Sequence, residues 1–340
     1  KRTVSLPPNL VYLCPKTQVL MSIISKDITQ AIAILKNDDV VAIPTETVYG
    51  LAGNIYSEQA IKKIFAVKKR PFFNPLIVHV ATIAQVEALV LEFPEKARKL
   101  ARAFWPGSLT LILKKKTSVP DLVTGGKDSV AVRIPDHPIT LDLLNRLEFP
   151  LAAPSANPFG SISPTQASHV NDYFKDTIKM VLDGGTCANG LESTIIGFEN
   201  DEAVVYRLGS IALEDIIAVV GAVAVKNNKN NAPLAPGMLS RHYAPSTKTY
   251  LVDDVAGFLT THLGKKIGVI THDQQVAKTP FVVIKKLSQT ANLKEAAAVL
   301  YSTMHELDAL GLDLIVAQRF PDHGMGKSIN DRLERATKNK

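Results

Sequence analysis

The chain has 340 residues, 46% of them hydrophobic and 21% charged, a composition that can bury a large core and excludes disorder over most of the length. Its longest apolar runs, such as 109–113 and 218–225, are too short to cross a bilayer, and two cysteines, Cys14 and Cys187, cannot build a disulfide framework or a CxxC pair. The net charge of +7, from 39 Lys and Arg against 32 Asp and Glu, fits an anionic partner without choosing between nucleotide and nucleic acid.

In chain order, residues 1–22 read as a leader or extension, rich in proline and without the apolar core of a secretory signal. A helical pattern opens at Met21. From Asp27 the spacing of Ile28, Ala31, Ile32 and Leu35 predicts a helix packed on one face, capped by Asp27 or Ser25. The β-branched run 40–43 predicts a strand covered on both faces and ended by Pro44. Similar runs at 75–80, 109–113, 130–134, 151–153, 178–182 and 194–198 alternate with helical patterns at 57–69 and 94–103. Residues 23–221 therefore read as an α/β layered domain.

A helix near 213–220 precedes an asparagine-rich stretch leading into Pro236-Gly237, read as a linker or lid over 222–246. Beyond it, strands are expected at 249–252, 266–270, 281–284 and 313–317. One amphipathic helix carries Leu293, Ala296, Ala297, Leu300, Met304 and Leu307, with Gly311 as its stop. This second domain spans 247–340.

Polar groups gather where the strands end. Pro44 to Leu51 holds two threonines, a glutamate and a tyrosine, more hydrogen-bonding groups than a turn requires, with Thr47 the first choice for substrate contact. Lys68, Lys69 and Arg70 close a helix, where cations either offset the negative end of the helix or grip phosphate; Asn74 follows. His79 in its strand reads as structural. Arg133, inside an apolar strand that begins at Ser129, needs an anion, either an internal carboxylate or a bound carboxylate or phosphate. Ser155 and Asn157 lack a structural reason, whereas Ser163 before Pro164 suits a helix cap. Ser193 and Arg207 repeat the arrangement beside later strands. Gly326-Lys327-Ser328 imitates the end of a phosphate-binding loop, but Pro321 occupies the position of its first glycine. The dispersed histidines give no metal site.

Together the segments PTETVYGL (44–51), KKRPFFNPLIVHV (68–80), WPGSLTLIL (105–113), AVRIPDHP (131–138), APSAN (153–157), SPT (163–165) and LESTII (191–196) resemble the threonylcarbamoyl-AMP synthase family, the YrdC-like proteins. LAPGM (234–238) and RHYAP (241–245) resemble the linker of its long, two-domain form, and the likeness runs from about Ile24 to the C terminus. GGTCANG at 184–190 departs from the pattern, where family members usually carry a histidine and aromatic residues.

The resemblance implies a twisted open sheet with a concave active-site face and a small Rossmann-like second domain. It implies a cytoplasmic enzyme joining L-threonine, bicarbonate and ATP, with Mg2+, into threonylcarbamoyl-adenylate and pyrophosphate for tRNA modification. The family's basic and polar signature falls on Lys68, Arg70, Ser155 and Asn157 as catalytic residues. Threonine would meet Thr47, His79, Arg133, Ser155 and Ser193; ATP would meet Lys68, Arg70, Asn74, Ser129, Asn157, Thr165, Arg207 and Tyr243. Expected partners are a downstream tRNA-modifying transferase complex and a weak tRNA contact, with no membrane. The rival reading is a non-catalytic RNA-binding module, disfavoured because the cations are interleaved with hydroxyls rather than aligned with aromatics.

Overall fold

The computed structural model of the chain describes residues 23–226, 242–277 and 279–338. The proposed leader, Cys14 and the motif positions 234–238 and Arg241 lie outside the described residues. Strands β1 (Ile23–Ser25), β2 (Val41–Ile43), β3 (Gly50–Asn54), β4 (Ile77–His79), β5 (Leu109–Lys114), β6 (Ser129–Arg133), β7 (Leu151–Ala152), β8 (Met180–Leu182), β9 (Thr194–Glu199), β10 (Glu202–Arg207) and β11 (Ala224–Val225) build one twisted mixed sheet. Its order is β1-β8-β2-β3-β7-β4-β6-β5-β9-β10-β11. Strands β12 (Thr249–Val252), β13 (Ile267–Thr271), β14 (Val282–Lys286) and β15 (Leu314–Gln318) form a second, all-parallel sheet ordered β12-β15-β13-β14.

Local signals explain most of the helices. Asp27 caps the helix Ile28–Lys36 by accepting from the Gln30 amide, so of the two expected caps the aspartate acts. Ser57 caps Glu58–Lys68, and Asn292 caps the helix Leu293–Asp308 through two amides. That last helix buries Ala296, Ala297, Leu300, Met304 and Leu307 as its stripe predicts, and Gly311 follows at a φ of 61°.

Three expectations need correction. The helical pattern at Met21 gives way at Ile23–Ser25 to an edge strand that pairs in parallel with β8, because the buried β8 offers its edge there. Residues 50–54, read as the end of a polar turn, form β3, antiparallel to β2; Gly50 can sit there because a Cβ would come within 3.2 Å of Ala153. Ser163 caps no helix: the next one begins at Ala167, and the serine hydroxyl donates instead to Glu192 Oε1 at 2.6 Å.

The C-terminal part closes tightly on the first sheet. Gly190 adopts a φ of 66°, and a Cβ there would lie 2.2 Å from the Ala298 carbonyl oxygen. Gly190→Ala is expected to cost more than about 2 kcal/mol, from backbone strain and the forced separation of loop and helix. A thermal melt with an unchanged midpoint would contradict this packing.

Candidate active site

The β2–β3 hairpin places Thr45 and Thr47 at its tip. Thr45 Oγ1 accepts the amides of Thr47 and Val48, both at 3.2 Å, so the turn is fixed by its own side chain. Next to it, β4 and β6 run parallel with His79 registered against Arg133, both at carboxyl ends, where α/β sheets expose their sites. The β9–β10 hairpin brings Arg207 back beside Ser193: Arg207 Nη2 donates to Ser193 O at 2.8 Å and to Ser193 Oγ at 3.2 Å. Ser155 reaches the same place after β7, through an isolated bridge to Gly50. These side chains line one cavity together with Glu192, His242 and Tyr243.

The basic corner lies directly behind. Lys69 takes the left-handed position after the helix, with a φ of 53°, and points outward, while Lys68 and Arg70 turn inward at 1% and 6% exposure. Lys69 suits the helix-end explanation; the other two do not. Lys68 Nζ donates to the Ser155 and Asn157 carbonyls, and Arg70 to those of Asn74 and Pro75. No described carboxylate pairs with either cation. Burial, helped by the Arg207 charge, pushes the Arg70 guanidinium down to about 9. Burial and then Arg70 hold the Lys68 amine well below its usual range. Buried, uncompensated cations await an anion, and they cannot offer the exposed stripe that an RNA backbone needs.

Arg133 has its anion inside the protein. Its Nη2 meets Glu46 Oε1 at 2.5 Å, its Nη1 donates to Thr47 Oγ1 at 2.9 Å, and its Nε to Gly107 O at 3.1 Å. Of the two alternatives, the internal salt bridge is the one present, and Arg133 still lines the cavity. Glu46 also accepts from Ser108 Oγ and the Asp136 amide.

His79 is more than a satisfied strand residue. Burial and the neighbouring Arg133 charge push its imidazole down to about 3, so the ring is neutral at physiological pH. Its Nδ1 lies 3.2 Å from Ile77 O, which can only accept. The proton therefore sits on Nδ1, leaving Nε2 as an acceptor.

Burial also pushes His242 down to about 3 and His305 down to about 4. All three imidazoles ionise more easily in the unfolded chain. Their contribution to stability is complete above the unfolded value of about 6.5 and is lost as pH falls toward 4. The thermal midpoint should therefore drop between pH 7 and 5; a flat profile there would count against neutral, buried rings.

Eight buried side-chain atoms among the described residues lack a hydrogen-bond partner. Six of them belong to Asn74 (two), Asn157, Thr165, His242 and Tyr243. Native interiors rarely leave such atoms idle; Asn74 and Asn157 flank Arg70 and Lys68, and His242 and Tyr243 line the cavity, as a ligand site would have them. Of the expected set, Thr47, His79, Arg133, Ser155, Ser193, Arg207 and Tyr243 line the cavity, whereas Lys68, Arg70, Asn74, Asn157 and Thr165 do not, and Ser129 begins β6 at the end opposite Arg133. Sequence reasoning passed over Thr110, whose Oγ1 lies 2.7 Å from Ser193 Oγ, and the carboxylates Glu46 and Glu192. The divergent segment at 184–190 still supports the hairpin: Tyr49 OH donates to Gly185 O, and the Asn189 amide donates to Glu46 O.

Among the described residues no cluster of three or more His, Cys, Asp or Glu groups could hold a metal, and no helix is long and apolar enough to cross a membrane. Glu192 at the cavity and Glu46 beside it are both engaged by arginines.

Residues 33–209 match the Sua5_yciO_yrdC family model, described as telomere recombination, and residues 211–337 match the model described as threonylcarbamoyl-AMP synthase, C-terminal domain. The threonylcarbamoyl-AMP synthase of Bacillus subtilis is 41% identical over 91% of this chain and 92% of its own length. That of Pyrococcus abyssi is 40% identical over 90% and 93%. The crystal structure of P. abyssi Sua5 complexed with L-threonine superposes with a TM-score of 0.85 at 37% identity, covering 93% of this chain and 97% of that one. With both domains matched and near-complete overlap with these relatives, the chain belongs to the threonylcarbamoyl-AMP synthase family.

Proposed function

We propose that this enzyme converts L-threonine, bicarbonate and ATP into L-threonylcarbamoyladenylate and pyrophosphate, the activated intermediate for threonylcarbamoyl-adenosine in tRNA. The observation that carries the residue assignment is the coincidence of buried cations without a described carboxylate partner, Lys68 and Arg70, with orphaned polar atoms on Asn74, Asn157 and Tyr243. Threonine's amine takes up bicarbonate, losing water, to form a carbamate; a carbamate oxygen then attacks the α-phosphorus of ATP and pyrophosphate leaves. Such chemistry asks for orientation and charge neutralisation rather than a covalent intermediate.

In this reading Thr47, His79, Arg133 and Ser193 receive threonine, with neutral His79 Nε2 accepting from its amine or hydroxyl. Lys68, Arg70, Asn74, Asn157, Thr165 and Arg207 receive nucleotide and carbamate, Ser155 touches both, and Ser129 belongs to the nucleotide set on resemblance alone. Magnesium arrives with the triphosphate as part of the substrate. The cavity between these walls and Tyr243 is small, about 40 Å3. In this reading the Tyr243 ring moves aside to admit ATP and returns over the labile product. A cytoplasmic setting, a downstream tRNA-modifying transferase and a weak tRNA contact complete the proposal.

Incubation of the purified chain with ATP, bicarbonate and Mg2+ should release pyrophosphate only when L-threonine is added. Release that ignores threonine, or none at all, would overturn the reading.

A further inference from the structure

The cavity wall that carries Ser193 and Arg207 is braced from the C-terminal part of the chain. Glu192 accepts Ser163 Oγ at 2.6 Å on one oxygen, and Tyr301 OH at 3.0 Å and Arg332 Nε at 2.9 Å on the other. Tyr301 lies on the helix Leu293–Asp308 and Arg332 on the helix Met325–Ala336. Arg332 is fully buried, donates through Nη2 to Leu208 O at 2.7 Å, and stacks its guanidinium 4.8 Å from the centre of the Tyr243 ring. The Tyr301 ring lies against the same tyrosine, with centroids 5.7 Å apart. Two side chains of the second domain thus touch the residue before Ser193, the residue after Arg207, and the linker ring that closes the cavity. Next to them, Gly209 leaves no room for a Cβ, which would fall 2.4 Å from Glu192 O, so the support is rigid.

We propose that Arg332 and Tyr301 are positioning residues for the adenylate-forming site, holding the Glu192 carboxylate and the Tyr243 ring so that Ser193 and Arg207 face the substrates. The C-terminal part is then a structural half of the active site rather than an appendage, and the lid ring has a built seat to return to. A buried pair that loses one partner leaves a stranded charge, so a single change at Arg332 risks misfolding. The informative variant is Glu192→Gln combined with Arg332→Met, which removes the Glu192–Arg332 pair together and leaves Asp331, the other carboxylate on Arg332, paired with Arg335 at 2.9 Å; Tyr301→Phe, which keeps the ring and loses the hydroxyl, is the second.

The inference rests on the functional reading above, so the unaltered chain is assayed alongside for threonine-dependent pyrophosphate release. In the double variant the thermal midpoint should stay within a few degrees, while KM for ATP and threonine rises about tenfold or more. Tyr301→Phe should raise the same KM values severalfold at an unchanged midpoint. A merely structural role would lower the active fraction, reducing apparent kcat and leaving KM alone. Variants with the KM values of the unaltered enzyme overturn this inference only, and if the double variant fails to fold, Tyr301→Phe decides. An unaltered chain that releases no pyrophosphate overturns the functional reading, and this inference with it.

Discussion

Arg70→Ala is expected to lower threonine-dependent pyrophosphate release by about 10²–10³-fold, the usual loss when one fixed donor to transition-state charge is removed. The side chain is buried, bonded to two carbonyls, and has no described carboxylate to answer it. Removing it strands those carbonyls, yet it also relieves a desolvated charge that no described carboxylate answers. The two effects oppose, so the thermal midpoint should move little while turnover collapses. ATP should correspondingly stabilise the unaltered protein by about 2.7 kcal/mol at a hundredfold excess over Kd, and stabilise the variant much less. Full turnover by Arg70→Ala would remove this residue from the chemistry.

Glu46→Ala should produce the opposite profile, a large loss of stability. Glu46 is the internal anion of Arg133 and also holds Ser108 and the Asp136 amide, so its removal leaves a guanidinium buried at 4% exposure without a counter-charge. Breaking such a pair costs about 3–5 kcal/mol, readable in a urea titration. Combining Glu46→Gln with Arg133→Met should recover most of that stability, because well-packed neutral side chains replace buried ion pairs at little cost. Threonine binding should stay lost in the double variant, since the corner that holds Thr47 Oγ1 depends on Arg133. A stable double variant with undiminished threonine affinity would show that the pair serves folding alone.

Much of this was legible in the residues. Buried strands announced themselves by unbroken β-branched runs, and β2, β5, β6 and β9 fall within a residue or two of their expected bounds. The four strands of the second sheet and its long amphipathic helix followed from the same patterns. The strand β3 was hidden because Gly50-Leu51-Ala52-Gly53-Asn54 has neither alternation nor β-branching; pairing with β2 and β7 makes it a strand. The ion pairs of Glu46 and Glu192 were hidden for a different reason. Their partners stand 87 and 140 positions away, and no local pattern encodes a contact at that range. Ser163 shows a local rule overruled: its cap position beside Pro164 was plausible, but the helix begins only at Ala167, and the hydroxyl donates to Glu192 Oε1 at 2.6 Å. The cluster of site residues was recognisable as a set of motifs, whereas their depth was not. Lys68 and Arg70 looked like a solvated helix end and are among the buried charges.

The most direct test of the account is a crystal structure of the protein with L-threonine and a non-hydrolysable ATP analogue bound together. The account predicts threonine in the corner formed by Thr47, His79, Arg133 and Ser193, the phosphates against Lys68 and Arg70, and Tyr243 displaced from its present position. Ligands settled elsewhere, with those cations and amides still unpartnered, would contradict it.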